Sequence, residues 1–215
     1  MSGGRVDVTM QTRTRREAGR ELPLLLWRFP SSMRVIASAP HGGGLGVRRW
    51  IVNAQVPASY ARRDPDHHLA KLGVSLGLPG RGVGMLTAAD VLRYAAATDQ
   101  GVEAVATVGL GHPTQAAAPD EGRLTSLVGT INVVALLPEK LSDAALVNAV
   151  ATATEAKVQA VRDLGLAATG TATDAVCLVC PDDGPAHAFG GPRSDWGARL
   201  ARAVHGAVVA GGRPT

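Results

Sequence analysis

The sequence predicts an α/β fold, a mixed sheet with packed helices arranged as an α/β or α+β sandwich in a single domain. Three observations carry this reading. Short runs rich in β-branched or small apolar residues, bounded by Gly, Pro or Asp, recur along the chain. Segments with apolar residues at helical spacing separate several of those runs. The first third is strand-rich, which argues against a purely parallel, doubly wound sheet.

The alternation of Val6, Val8 and Met10 predicts a first strand. A basic turn follows, then strand candidates at residues 22–29, 34–39 and 49–54. Residues 66–72 read as a short helix and residues 88–98 as a second. Strands are expected at 102–108, 130–137 and 175–179, with a polar loop at 119–123. The clearest helix spans residues 142–164: Ser142 caps its first free N–H groups, Asp143 suits its positive end, and Gly165 can take the left-handed conformation that stops it. In the last helix, residues 194–210, Trp196, Leu200, Val204 and Val208 recur at four-residue spacing and form a stripe for burial.

At 215 residues, one domain suffices to bury a core. Its expected division is a basic N-terminal segment over 1–20, flexible in part, a main folded domain over 21–211 and a tail over 212–215. The net charge of +4 comes from scattered arginine clusters without interleaved aromatics, so no nucleic-acid partner is expected. No apolar run approaches the roughly 20 residues of a membrane-spanning helix, and no secretory pattern opens the chain, so a cytoplasmic protein is expected. Its state of association is open, and a homo-oligomer is compatible with it. Cys177 and Cys180 lie three apart in an apolar strand, hence on opposite faces, and no other ligand spacing suggests a metal.

Several segments are able to carry chemistry. His41-Gly42-Gly43-Gly44 and Gly73-Val74-Ser75-Leu76-Gly77 together fit the expression for a serine hydrolase. However, the segment before Ser75 reads as a helix, where a nucleophile elbow needs a strand. The glycine run suits either a ligand-binding loop or an ordinary turn. In the long helix, Leu146, Val150, Ala153, Ala160, Val161 and Leu164 make an apolar stripe from which Lys157 projects. That lysine either snorkels to the surface or meets a carboxylate or a substrate carbonyl.

Glu155 lies nearly opposite, beside a second small-residue face of Val147, Ala151 and Val158. A helix apolar on two sides is expected to be sandwiched, which makes both charges candidates for an interior site or for structural ion pairs. The turn holding Thr169, Thr171, Thr173 and Asp174 binds either polar ligand groups or its own backbone. Asn53 and Asn132 interrupt apolar strands, so they line a polar pocket or bridge strands.

Gly129-Thr130-Ile131-Asn132-Val133, Thr154-Glu155-Ala156-Lys157 and Gly170-Thr171-Ala172-Thr173-Asp174-Ala175, with Phe189-Gly190-Gly191-Pro192 behind them, together resemble the linked signature of the adenosylcobinamide amidohydrolase family. Gly42 to Gly44, residues 51–53, Asp64-Pro65 and the segment Gly84-Met85-Leu86-Thr87 extend the resemblance. It implies hydrolysis of adenosylcobinamide to adenosylcobyric acid and aminopropanol, for cobalamin salvage or remodelling, with the corrinoid bound as substrate and no cofactor. On this resemblance Glu155 is the candidate base. Lys157 stabilises developing negative charge, Asn132 donates a hydrogen bond, and Asp174 orients a partner or replaces Glu155. Gly42, Gly43, Gly44, Asn53, Asp64, Thr87, Thr171 and Thr173 are the candidate substrate-binding residues. A non-catalytic corrinoid-binding protein and a serine esterase using Ser75 are the alternatives.

Overall fold

The computed structural model describes residues 8–119 and 129–213. Its eight strands are β1 (Thr9–Glu17), β2 (Arg20–Ala37), β3 (Gly44–Gln55), β4 (Gly82–Thr87), β5 (Ala95–Asp99), β6 (Val102–Gly109), β7 (Thr130–Leu136) and β8 (Ala175–Pro181). The helices are α1 (Pro65–Ser75), α2 (Asp143–Asp163) and α3 (Asp195–Gly212). All eight strands form one mixed sheet in the order β4-β3-β2-β8-β7-β6-β5, with β1 paired to β2.

The segments expected as two strands at 22–29 and 34–39 are one strand with a bend in its middle. Arg28 faces Trp50 and Met33 faces Arg48, so residues 29–32 bulge opposite Arg49 alone. Pro30, inside the bulge, has no N–H to give a ladder. Before the bend β2 pairs with β1 and β3, and after it with β3 and β8. The bend folds the sheet over itself, and Ile51, Val83 and Met85 share one core with Val105, Val134 and Cys177.

The outer faces are covered by helices. Leu69 and Leu72 of α1 bury Leu24, Leu26, Trp50 and Val52. On the other side, α2 and α3 pack on β6, β7 and β8 through Leu146, Ala153, Val161, Leu200 and Val204. The molecule is thus layered helix, sheet, sheet, helix pair, a sandwich in one domain. The caps of α2 follow the sequence: Ser142 Oγ accepts from Ala145 N at 3.2 Å, and Gly165 has φ +83°.

Three expectations are corrected. Residues 88–98 are not a helix but a 3-10 turn at Val91–Arg93 running into β5. The alanines favour a helix, but Gln100 (φ 41°) and Gly101 (φ 94°) turn the chain tightly, and β5 pairs back on β6. Residues 9–17, within the basic N-terminal segment, form β1, where the alternation through Met10 predicts a first strand. The second face of α2 is not sandwiched: Val147 is 61% exposed and Ala151 is exposed, because α3 and β8 cover that helix from one side. Finally, α1 extends to Ser75, beyond the expected end at 72. The polar loop expected at 119–123 lies mostly outside the described residues, as does Val6.

Candidate active site

Strands β7 and β8 run parallel, so their first residues lie at one end of the sandwich, where the C-terminal half of α2 also arrives. Lys157 sits on the buried stripe of α2 and reaches Asp174, just before β8, at 2.5 Å, with both side chains about nine-tenths buried. Asp174 is engaged from every direction. Oδ1 accepts from Ile131 N at 2.8 Å and from Thr171 Oγ1 at 2.5 Å, while Oδ2 accepts from Lys157 Nζ and from Thr171 N at 3.1 Å. A carboxylate has about four lone-pair positions, so none is left open to a ligand. Gly170 makes the pairing possible. Its φ is +153°, and a Cβ there would lie 2.1 Å from Asp174 Oδ2 and 2.5 Å from Lys157 Nζ.

The hydroxyls of the same turn close over the start of β7. Thr173 Oγ1 donates to Gly129 O at 3.0 Å and lies 2.7 Å from Thr130 Oγ1. Thr171 Oγ1 also lies 2.7 Å from Gly129 O. Both threonines thus tie their turn to Gly129 at the start of β7, and Thr173 remains exposed at the rim.

Two residues along β7, on the face that carries Thr130, Asn132 continues the polar line inward. Its Nδ2 donates to Asn53 Oδ1 at 2.8 Å and to Leu86 O at 2.9 Å, and Asn53 Nδ2 donates to Thr107 Oγ1 at 3.0 Å. These bonds tie β3 and β4 to β6 and β7 across the fold of the sheet. Asn53, Asn132 and Thr107 are each at most 2% exposed, and Asn132 Oδ1 is buried without a partner. Thr107 and Thr130 were not singled out from the sequence. Threonine is ordinary in a strand, and only their position opposite or beside Asn132 gives them a role.

The other candidates lie apart from this cluster. Glu155 is exposed on the outer side of α2, in an open groove with Thr154, Val158, Gln159, Arg162 and Asp163. Gly42 and Gly43 turn their carbonyls to the buried Arg48, whose Nη2 donates to Gly42 O at 2.7 Å and to Gly43 O at 3.3 Å. Gly44 opens β3. Thr87 Oγ1 accepts from Ala89 N at 3.0 Å and holds the turn after β4. Asp64 is an exposed residue before α1, and the Arg62 hydrogen bond at 2.8 Å holds its carboxyl below its ordinary value. Ser75 ends α1, and its hydroxyl donates to Leu72 O at 2.8 Å, unlike a nucleophile on a strand-to-helix elbow.

Cys177 and Cys180 face different cores, as their spacing requires, and burial pushes the Cys177 thiol up to about 12. Among the described residues no three His, Cys, Asp or Glu side chains cluster in a way that would hold a metal, and no helix is long and apolar enough to cross a membrane.

Residues 6–214 match the family model described as adenosylcobinamide amidohydrolase. An adenosylcobinamide amidohydrolase of Methanosarcina mazei is 29% identical over 178 residues, 79% of this chain and 85% of that protein. One from Halobacterium salinarum is 37% identical over 118 residues, 51% of this chain and 49% of that protein. Among solved structures, the L-aminopeptidase D-Ala-esterase/amidase of Ochrobactrum anthropi covers 95% of this chain, with 82% of its own length covered, at 12% identity and a TM-score of 0.42. That likeness is too distant to carry over any residue's role. With the family model matched over nearly the whole length, the chain belongs to the adenosylcobinamide amidohydrolase family and is an amidohydrolase.

Proposed function

We propose that the protein hydrolyses the amide joining aminopropanol to the corrin side chain of adenosylcobinamide, giving adenosylcobyric acid and aminopropanol for cobalamin salvage or remodelling. The observation that carries this reading is the family match over residues 6–214. The corrinoid enters as substrate, and the protein brings no cofactor of its own.

Amide hydrolysis needs a base for the attacking water, donors for the tetrahedral oxyanion and a proton for the leaving amine. Of the two candidate carboxylates, Asp174 has all its lone pairs engaged, whereas Glu155 is open to solvent. Glu155 is therefore the base that takes the water proton, and Asp174 holds Lys157 in place. Lys157 lies on the buried side of the same helix, about 200° round from Glu155, so with Asp174 it positions α2 and does not meet the carbonyl that Glu155 serves. Asn53 and Asn132 are buried and hold the folded sheet together behind the site, and of the threonines Thr173 is the one exposed at the rim. The open groove along α2, lined by Thr154, Val158, Gln159, Arg162 and Asp163 beside Glu155, mixes apolar and polar surface as a broad ligand with amides around its edge requires.

The test is incubation of the purified protein with adenosylcobinamide, with products followed by chromatography and mass spectrometry. Adenosylcobyric acid is expected from the wild type, and its loss in a folded Glu155→Ala variant. Saturable binding of an unchanged corrinoid would make this a binding protein instead.

A further inference from the structure

With Lys157 turned inward to Asp174, the groove that holds Glu155 lacks an ammonium, and amide hydrolysis there still needs a donor for the oxyanion. The groove measures about 610 Å³, within the ~300–1,000 Å³ of sites that take small molecules. Arg162 is the one Lys or Arg among the described residues that line it. Seven positions beyond Glu155, it lies about 20° round α2 and about 10 Å along it, so the two share a face with Val158 between them. Helix side chains lean toward the N-terminus, which lays the arginine stem back over the Val158 turn, toward the carboxylate. Two neighbouring polar groups are already engaged. Thr154 Oγ1 donates to Val150 O at 2.8 Å, and Asp163 Oδ2 lies 2.8 Å from His205 Nε2, which turns that carboxylate to α3. Among the described residues Arg162 has neither a hydrogen-bond nor an ion-pair partner, and it is exposed.

We infer that Arg162 is the catalytic cation of this groove, donating to the carbonyl oxygen of the scissile amide while Glu155 holds the attacking water; the inference rests on the reading of Glu155 as the base. A carbonyl laid over Val158 has the carboxylate at one end and the guanidinium at the other. The water oxygen bonds to the carbonyl carbon, its proton passes to Glu155, and the C=O pair moves onto the oxygen that Arg162 holds. Return of that pair breaks the C–N bond, and Glu155 gives its proton to the departing nitrogen, leaving an acid and an amine. The planar fork of a guanidinium offers two parallel N–H groups to such an oxygen, and the apolar surface of Val158 limits competition from water. A cation in the last turn of α2 also suits the negative end of the helix. That purely structural role affects stability and leaves turnover alone, so the two are separable.

The test is steady-state hydrolysis of adenosylcobinamide by the wild type, Glu155→Gln and Arg162→Met, each checked for folding by circular dichroism. Arg162→Met should lower kcat about 10²–10³-fold, the loss that follows removal of one oxyanion donor, with KM changed only a few-fold. Guanidinium ion, added well below denaturing concentrations, should restore part of that kcat, and should do nothing for Glu155→Gln. Wild-type kcat in Arg162→Met, a rise in KM alone, a lowered Tm with turnover intact, or a kcat loss that guanidinium leaves unrepaired would each overturn the assignment. Normal turnover in Arg162→Met beside an inactive Glu155→Gln removes Arg162 alone. A wild type that leaves adenosylcobinamide intact, or a fully active Glu155→Gln, removes the underlying reading and this inference with it.

Discussion

Removing the carboxylate of Asp174 should cost far more stability than removing the ammonium of Lys157, and the second change should rescue the first. Asp174→Ala strands a lysine whose side chain is 9% exposed and takes the acceptor from two backbone N–H groups, Ile131 and Thr171. Breaking a buried pair from one side costs about 3–5 kcal/mol, and each orphaned N–H adds up to ~1–3 where water does not reach it. A loss of about 5 kcal/mol is expected, lowering Tm by roughly 10–20 °C in a chain of this size. Lys157→Met leaves Asp174 with three donors and keeps the hydrocarbon stem packed, so its cost is that of one charge-assisted bond, about 2 kcal/mol. In the double variant no ammonium is stranded, and the loss should be about 2 kcal/mol smaller than in Asp174→Ala alone. Urea unfolding of the four proteins measures each value. Additivity within about 0.5 kcal/mol, or equal costs for the two single variants, would refute the argument that the carboxylate is the hub.

Two further outcomes are expected. Gly42→Ala should destabilise by about 3 kcal/mol or more, because φ is +65° and the new Cβ would meet Gly82 O at 1.9 Å, whereas Gly44→Ala, with φ +79° and nothing within 4 Å, should cost only about 1 kcal/mol; thermal unfolding compares the pair. Burial alone would raise the Glu17 carboxyl, but the Arg15 hydrogen bond and the charges of His68 and Arg15 outweigh it and hold it below its ordinary 4.5. Its contribution is therefore present above that value and is lost as pH falls through the lowered folded value, so Glu17→Gln should flatten the acid limb of a stability-against-pH curve.

The parts of the fold set by local chemistry were legible in the sequence. Ser142 and Gly165 bracket α2 because a cap and a left-handed stop act within a turn, and the two cysteines fall on opposite faces because a strand alternates. Lys157 announced that it needed a partner, and the threonine turn was marked as polar. Their meeting was not legible, since it depends on a Gly170 conformation that only the folded loop defines. Asn53 and Asn132 were each conspicuous in an apolar strand, but they are 79 residues apart, and only the bend in β2 brings them together. Residues 88–98 were misread for the converse reason. Alanine's local preference for helix is a few tenths of a kcal/mol per residue against the ladder that β6 offers.

The two charges of α2 are linked by the helix itself. Residues two apart point about 200° away from each other, so a side chain fixed at 157 determines where 155 is aimed. Lys157 is fixed by Asp174, and Asp174 by the starts of β7 and β8, so the bond network of the interior sets the rotation of the helix that presents Glu155 to solvent. A substitution at Lys157 thus acts on an exposed carboxylate it never touches. Lost turnover in such a variant is evidence for a catalytic ammonium only if Lys157→Arg, which preserves the pair and hence the aim of Glu155, also fails to restore it.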